Sequence, residues 1–363
     1  MAEPKKLIVF IPSIEDGGVE KNLYIILNYL SKKINDITLI TYDNLKKIKF
    51  NKKIKILNPF LNTINFKSRY PKYFFCLTVL IKILLLRKNN LVLSFQANIF
   101  AIITATFFKT PIISRSNSSS TGWSNNKIKQ KIFKFYFKKA NKIIVNSEEF
   151  KKEMDNKYKI NCECILNPFE FDKIKRLSYE KSKKIFSEQK KLKLISVGRL
   201  TDQKDFKTMI NVIKHVKRNV QLVIIGKGIN YVSLKNYINK LRLSQKVNFI
   251  GYKKNPFKYI NQADIFILTS KFEGSPNVLV EAQYLKKYII STNCPTGPRE
   301  ILNNGKYGSL VKVGDHKSIA KILQNYNYNK LTQKKIKLGY LNTKKYDYKI
   351  SCKKYLDLIQ QYM

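Results

Sequence analysis

The chain predicts an α/β fold with two parallel-sheet domains, and three observations carry that expectation. Short apolar runs alternate with helical stretches along both halves, the pattern of βαβ units. At 363 residues the chain is long enough for two domains, each burying its own core. From Ala263 onward a strand, a tight loop and a helix start follow one another, as at the nucleotide site of an open parallel sheet.

Taken in order, the first half has strands expected at Leu7–Ile11, Ile37–Thr41, Lys53–Leu57, Leu91–Phe95, Ile112–Ser114, Ile143–Asn146 and Glu163–Leu166. Helical patterns fill most of the gaps, for example Val19–Leu30 and Tyr73–Arg87. The second set comprises Leu192–Val197, Leu222–Ile225, Val247–Ile250, Ile265–Leu268 and Tyr288–Ser291. Between them, from Asn167-Pro168 to about Lys191, the chain is charged and poorly periodic, which marks the interdomain linker. The expected domains are therefore 1–170 and 190–344. The last stretch, Asp347–Met363, is apolar at helical spacing (Ile350, Tyr355, Leu358, Ile359).

With 44% hydrophobic and 12% aromatic residues the chain is not a disordered one. No stretch reaches the ~18–20 apolar residues of a membrane span. The opening MAEPKKLIVFIPS has too short an apolar part for a signal peptide, and Leu7–Ile11 reads as a first buried strand. Five cysteines without a framework suit reduced thiols in a cytosol. Cys162-x-Cys164 lacks the partners for a zinc site, His215 and His316 being distant in sequence.

The net charge of +46 invites a nucleic-acid reading. Only eight of the 70 basic residues are arginines, which counts against bidentate base readout. Attraction to anionic lipid headgroups and to a diphosphate is the better use of such a field. Two segments bear on this. Tyr73–Arg87 is almost wholly apolar, too short to span, and suits either a buried helix or an interfacial one. Lys127–Lys139 interleaves six lysines with aromatic and aliphatic residues and suits a membrane-surface helix rather than a merely solvated one.

The chemistry centres on KFEGSPNVLVEAQY, which sets Glu273 and Glu281 eight residues apart. Ser275 suits an N-cap and Pro276 the first helical position. The amides of Asn277, Val278 and Leu279 would then face an anion beside Gly274, with the helix dipole behind them. Two carboxylates there are suited to accept from hydroxyls of a sugar and a ribose. After the strand Leu192–Val197, Gly198 allows a close turn, and Arg199 and Lys204 can straddle a diphosphate or be surface cations. Gly17-Gly18 could offer amides to the same diphosphate, and Glu20 could reach an acceptor or support the first helical turn. Gly226-Lys227-Gly228 ends a strand and could shape a base pocket. Gly-Gly is not the six-residue dinucleotide fingerprint, so NAD is not expected.

FEGSPNVLVEA resembles the E-x7-E segment of retaining GT-B glycosyltransferases of family 4. The resemblance runs over nearly the whole chain: IPSIEDGGVEKNLYIILNYL, ISVGRLTDQKDFKTMI, LVIIGKG, VNFIGYKKNPFKYINQADIFILTS and NCPTGPREILNNGKYGSLVKVGD follow in that family's order. It implies GT-B architecture, with two Rossmann-like domains facing across a cleft and the terminal helix (345–363) crossing back onto the first. It further implies a nucleotide-sugar donor, with UDP expected, and a metal-independent reaction in which Arg199 and Lys204 stabilise the departing diphosphate. Glu273 would hold the donor sugar and Glu281 the ribose. The branch it resembles builds bacterial surface glycans, including N-acetylgalactosaminyl transfer to lipid-linked oligosaccharides at the cytoplasmic face of a membrane. Many members carry a histidine or an acidic-basic pair in the N-domain where this chain has Ile113–Ser118, with no histidine, so Arg115 and Asn117 are the candidates there for sugar or acceptor. Two rival functions are a sugar-nucleotide epimerase of similar architecture and a basic nucleic-acid-binding protein.

Overall fold

The structure, a computed structural model, describes residues 6–14, 17–43, 50–59, 64, 66, 68–117, 127–187 and 191–363. It divides into two compact units, residues 1–169 with 346–363, and residues 170–345. Glu15 and Asp16 of the first glycine loop, Ser118, and residues 188–190 of the expected linker lie outside the described residues.

The first unit runs β1 (Lys6–Phe10), α1 (Gly18–Leu30), β2 (Ile37–Ile40), β3 (Ile54–Leu57), α2 (Arg69–Leu86), β4 (Asn90–Ser94), α3 (Asn98–Phe107), β5 (Ile112–Arg115), α4 (Lys127–Phe137), β6 (Lys142–Val145), α5 (Glu148–Glu153) and β7 (Cys162–Cys164). The second runs α6 (Phe171–Ser178), β8 (Leu192–Val197), α7 (Phe206–His215), β9 (Val220–Ile225), α8 (Tyr231–Lys240), β10 (Val247–Phe249), α9 (Phe257–Ile260), β11 (Ile265–Leu268), α10 (Asn277–Tyr284), β12 (Tyr288–Thr292), α11 (Pro298–Ile301), β13 (Ser309–Val311), α12 (His316–Gln324) and α13 (Lys330–Asn342). A last helix, α14 (Tyr348–Gln360), belongs to the first unit.

Both sheets are parallel. The first has the order β3-β2-β1-β4-β5-β6-β7 and the second β10-β9-β8-β11-β12-β13. In each, the strand order reverses once, between β1 and β4 and between β8 and β11. Ligands of open α/β sheets gather at the carboxyl ends of such a switch. The central strands are buried on both faces, as at β1, β4, β11 and β12, which is why they read as continuous apolar runs rather than alternating ones. In the first unit one face packs under α1 and α14, where Cys352, Tyr355, Leu358 and Ile359 join Leu7, Val9 and Leu23. The other face packs under α2, α3, α4 and α5, where Cys76, Leu80, Ala101, Ile102 and Phe150 join Ile8, Phe10 and Val92. Phe169 and Tyr346 meet edge to face, and Phe169 bridges Asp347, so the two ends of the first unit's chain are tied together.

Two elements differ from the sequence reading. The expected linker contains α6, which packs on α9 in the second unit. Its charge hides three inward positions, Phe171, Ile174 and Ser178, at helical spacing. β13 is not legible in the sequence because only Val311 of its residues is buried, in a short run between Gly308 and Gly314. Ile359 is fully buried. Ile359→Val is expected to cost about 1 kcal/mol in urea unfolding of the first unit, and an unchanged midpoint would remove α14 from that core.

Candidate active site

The second unit's switch point brings β8 and β11 side by side, so the loops leaving their carboxyl ends must meet. The β8 loop holds Gly198–Lys204 and the β11 loop holds Lys271–Pro276. Lys204 Nζ lies 2.5 Å from Glu273 Oε1, with side chains 14% and 7% exposed. The Ser270 hydroxyl donates to the same oxygen at 2.5 Å. Glu273 Oε1 carries both bonds, leaving Oε2 as the acceptor for a ligand hydroxyl. The two loops are also stitched by backbone: the Lys271 N–H donates to the Gln203 carbonyl at 2.8 Å, and the Gln203 amide donates to the Phe272 carbonyl at 3.0 Å. Lys204 is therefore one half of an ion pair, where the sequence reading had it free to straddle a phosphate.

Arg199 is exposed and forms no ion pair among the described residues. The stem of Lys204 lies against Gly198, 3.6 Å from where a Cβ would stand. Gly226 and Gly228 serve close approach. A Cβ on Gly226 would fall 1.9 Å from the Gly198 carbonyl oxygen, and one on Gly228 2.3 Å from that of Leu200. Their glycine character thus lets the β9 end press on the β8 loop, which a base pocket does not by itself require.

α10 begins at Asn277, one residue later than the sequence reading, with Pro276 in the cap position at φ −70° and ψ 102°. The Leu279 N–H donates to the Pro276 carbonyl at 3.0 Å, so that amide closes the first turn and is not offered to an anion. Asn277 and Val278 remain at the positive end of the helix. The loop before α10 is braced by Pro295–Gly297. The Glu273 N–H donates to the Pro295 carbonyl at 2.7 Å, and the Thr296 hydroxyl donates to the Gly274 carbonyl at 3.1 Å. This bracing keeps Pro276 extended and delays the helix. Glu281 lies on the buried side of α10, 3% exposed. Burial, and then the Glu273 charge, push the Cys294 thiol up to about 12, so it is no nucleophile.

In the first unit, Gly17 is the cap residue of α1 and Gly18 its first residue. The Glu20 carboxylate fills the space over Gly17, with Oε2 2.7 Å from where a Cβ would stand. Arg115 is 1% exposed. Its Nη2 donates to Asn167 Oδ1 at 2.6 Å and its guanidinium lies 5.4 Å from the Phe95 ring centre. The Asn117 amide donates to the Phe95 carbonyl at 3.0 Å. Arg115 and Asn117 thus make contacts at the ends of β4 and β5, and these leave Arg115 Nε and Nη1 and Asn117 Oδ1 buried without a hydrogen-bond partner among the described residues. Sequence spacing misses this because the partner of Arg115 lies fifty-two positions away.

Among the described residues no group of three His, Cys, Asp or Glu could hold a metal ion. His215 and His316, distant in sequence, meet with ring centres 4.8 Å apart and planes tilted by 47° because α7 and α12 pack together.

Residues 178–338 match the family model for glycosyl transferases group 1. The second unit is a group 1 glycosyltransferase domain. The domain's β8 and β11 loops hold the Lys204–Glu273 pair, and its α10 follows directly. The chain is 25% identical over 358 residues, 94% of each chain, to the N-acetylgalactosamine-N,N'-diacetylbacillosaminyl-diphospho-undecaprenol 4-alpha-N-acetylgalactosaminyltransferase of Campylobacter jejuni. It is 36% identical over 203 residues to the uncharacterized glycosyltransferase MJ1059 of Methanocaldococcus jannaschii, a match spanning half of each chain. Anabaena Alr3699/HepE in complex with UDP-glucose has the same fold, with a TM-score of 0.78 at 14% identity over 98% of this chain and 99% of that one. The architecture is that of GT-B proteins, two Rossmann-like parallel-sheet units.

Proposed function

We propose that the chain is a retaining, family 4 glycosyltransferase that moves a hexose or N-acetylhexosamine from UDP to a polyprenyl-diphosphate-linked glycan. The glycan would be a bacterial surface polysaccharide, lipopolysaccharide or protein-linked one, at the cytoplasmic face of a membrane. The observation that carries the reading is the Lys204–Glu273 pair set at the switch point, beside the start of α10 and exposed Arg199. The acceptor class is supported by the likeness to the Campylobacter transferase over 94% of the chain.

On this reading the donor diphosphate lies at the start of α10, with Arg199 and Lys204 drawing off the charge that grows as the anomeric C–O bond breaks. Those groups take the role a metal has elsewhere. Glu273 Oε2 accepts from a hydroxyl of the donor sugar, and the pair with Lys204 keeps that carboxylate aimed. Glu281 accepts from the ribose. The acceptor hydroxyl attacks on the leaving-group face and its proton passes to a phosphate oxygen, so the configuration at the anomeric carbon is kept.

Incubation with a panel of UDP- and GDP-sugars and a lipid-diphosphate acceptor tests the reading. A product with the donor's anomeric configuration is expected. Sugar-nucleotide interconversion without transfer would make the chain an epimerase, and turnover of neither would end both readings. Glu281→Ala is expected to weaken UDP binding by roughly 1–3 kcal/mol, and calorimetry with unchanged affinity would remove Glu281 from the ribose.

A further inference from the structure

The layer formed by α2, α3 and α4 in the first unit is apolar on both sides. α2 buries Cys76, Leu80 and Leu84 against the sheet and turns Phe74, Ile81 and Leu85 outward, 64%, 37% and 68% exposed. α3 buries Ala101, Ile102 and Ala105 and presents Phe100, Ile103 and Phe107, the last 80% exposed. α4 presents Ile128, Ile132 and Phe135, each at least 45% exposed. Outward positions on each helix recur at helical spacing, so each forms a row and not a scatter. α3 lies against both α2 and α4, which makes the rows neighbours. Contiguous apolar patches of this kind mark a docking surface. Only α2 and α4 stood out in the sequence; α3 joins them through packing.

The charge around this face decides what it takes. No Asp or Glu occurs between Asp43 and Glu148, the stretch that supplies all three helices. It carries exposed Lys82, Lys88, Lys109, Lys131 and Lys138. Lys139 Nζ stands 4.7 Å over the Phe135 ring, so cation and apolar surface adjoin directly. A second copy bound about a two-fold axis would set this lysine-rich face against itself, like charge on like. An anionic bilayer satisfies both features, apolar rows at the acyl boundary and lysines at the headgroup phosphates. Among the described residues no helix is long and apolar enough to cross a membrane, so the contact is interfacial.

We propose that the outer face of α2, α3 and α4 docks on an anionic lipid bilayer, with Phe74, Phe107 and Phe135 entering the headgroup boundary. The proposal deepens, and rests on, the reading of the acceptor as membrane-borne, which is what gives the first unit a use for such a face.

The test uses the full chain and vesicles of phosphatidylcholine alone or with added phosphatidylglycerol. All five native cysteines are buried. Phe107→Cys therefore takes an environment-sensitive fluorophore selectively, with Lys353→Cys on α14 as the control. Flotation with phosphatidylglycerol vesicles, weaker in high salt, is expected, with a blue shift of the label at 107 and none at 353. Phe107→Ser/Phe135→Ser should bind those vesicles at least roughly tenfold more weakly while UDP affinity stays the same. Equal flotation of variant and parent, or a label at 107 that stays in water, would overturn the proposal. A dimer of the parent that the double variant dissociates would overturn it too, assigning the face to a second copy. Vesicle binding without nucleotide-sugar binding would sink the transferase reading alone, and the reverse result the docking face alone.

Discussion

Lys204→Ala is expected to lower turnover with the nucleotide sugar by about 10²–10³-fold and to destabilise the second unit by up to about 3 kcal/mol. The double effect follows from the ion pair. Glu273 is 7% exposed, and without Lys204 its charge would keep only the Ser270 hydroxyl as side-chain donor. Arg199→Ala separates the two effects. Arg199 is exposed and unpaired among the described residues, so its loss should cut turnover on the same scale while shifting stability by less than about 0.5 kcal/mol. Turnover and thermal unfolding of both variants decide the matter. A Lys204→Ala protein that melts and turns over like its parent would show that the pair does nothing, and an Arg199→Ala protein that melts early would make that arginine structural.

Gly297→Ala should damage both stability and nucleotide binding. Gly297 sits at φ +90°, a conformation other residues reach only under strain. Its added Cβ would also stand 2.5 Å from the Gly274 carbonyl oxygen and 2.9 Å from Pro276 Cδ. Those atoms belong to the loop that carries Glu273 and leads into α10, so the loop must move. A loss of about 3 kcal/mol in urea unfolding is expected, the sum of backbone strain and overpacking, together with loss of measurable UDP binding in calorimetry. Gly251→Ala is the control. Its φ is +72° but a Cβ there meets open space, so only strain of about 1 kcal/mol remains and UDP affinity should hold. Similar UDP affinity in the two variants would mean that the Gly297 contact does not set the loop.

Among the described residues, twelve of the thirteen strands are legible along the chain, most of them because strands buried on both faces are continuous apolar runs bounded by polar turns. The exception, β13, is short and only partly buried, with Gly308 and Gly314 around it. α6 was missed because a helix with one narrow apolar row in a lysine-rich segment is nearly invisible to composition. The site residues of the second unit were visible as types at spacings, but their use was not. The spacing marks Glu273 for a sugar and Lys204 for a phosphate, and neither as the other's partner.

Local patterns, set by side-chain period and turn chemistry, determined by themselves that this chain makes two sheets, where the strands lie and which acids flank the start of α10. Only the tertiary structure decided that Lys204 meets Glu273, that Arg115 turns into the interior to Asn167, and that three helices share one lysine-rimmed apolar face. The physical reason is common to all three. Such pairings depend on which strands become neighbours at a switch point and which helices cover the same side of a sheet. These are contacts between separate elements of the chain, beyond the reach of any local period.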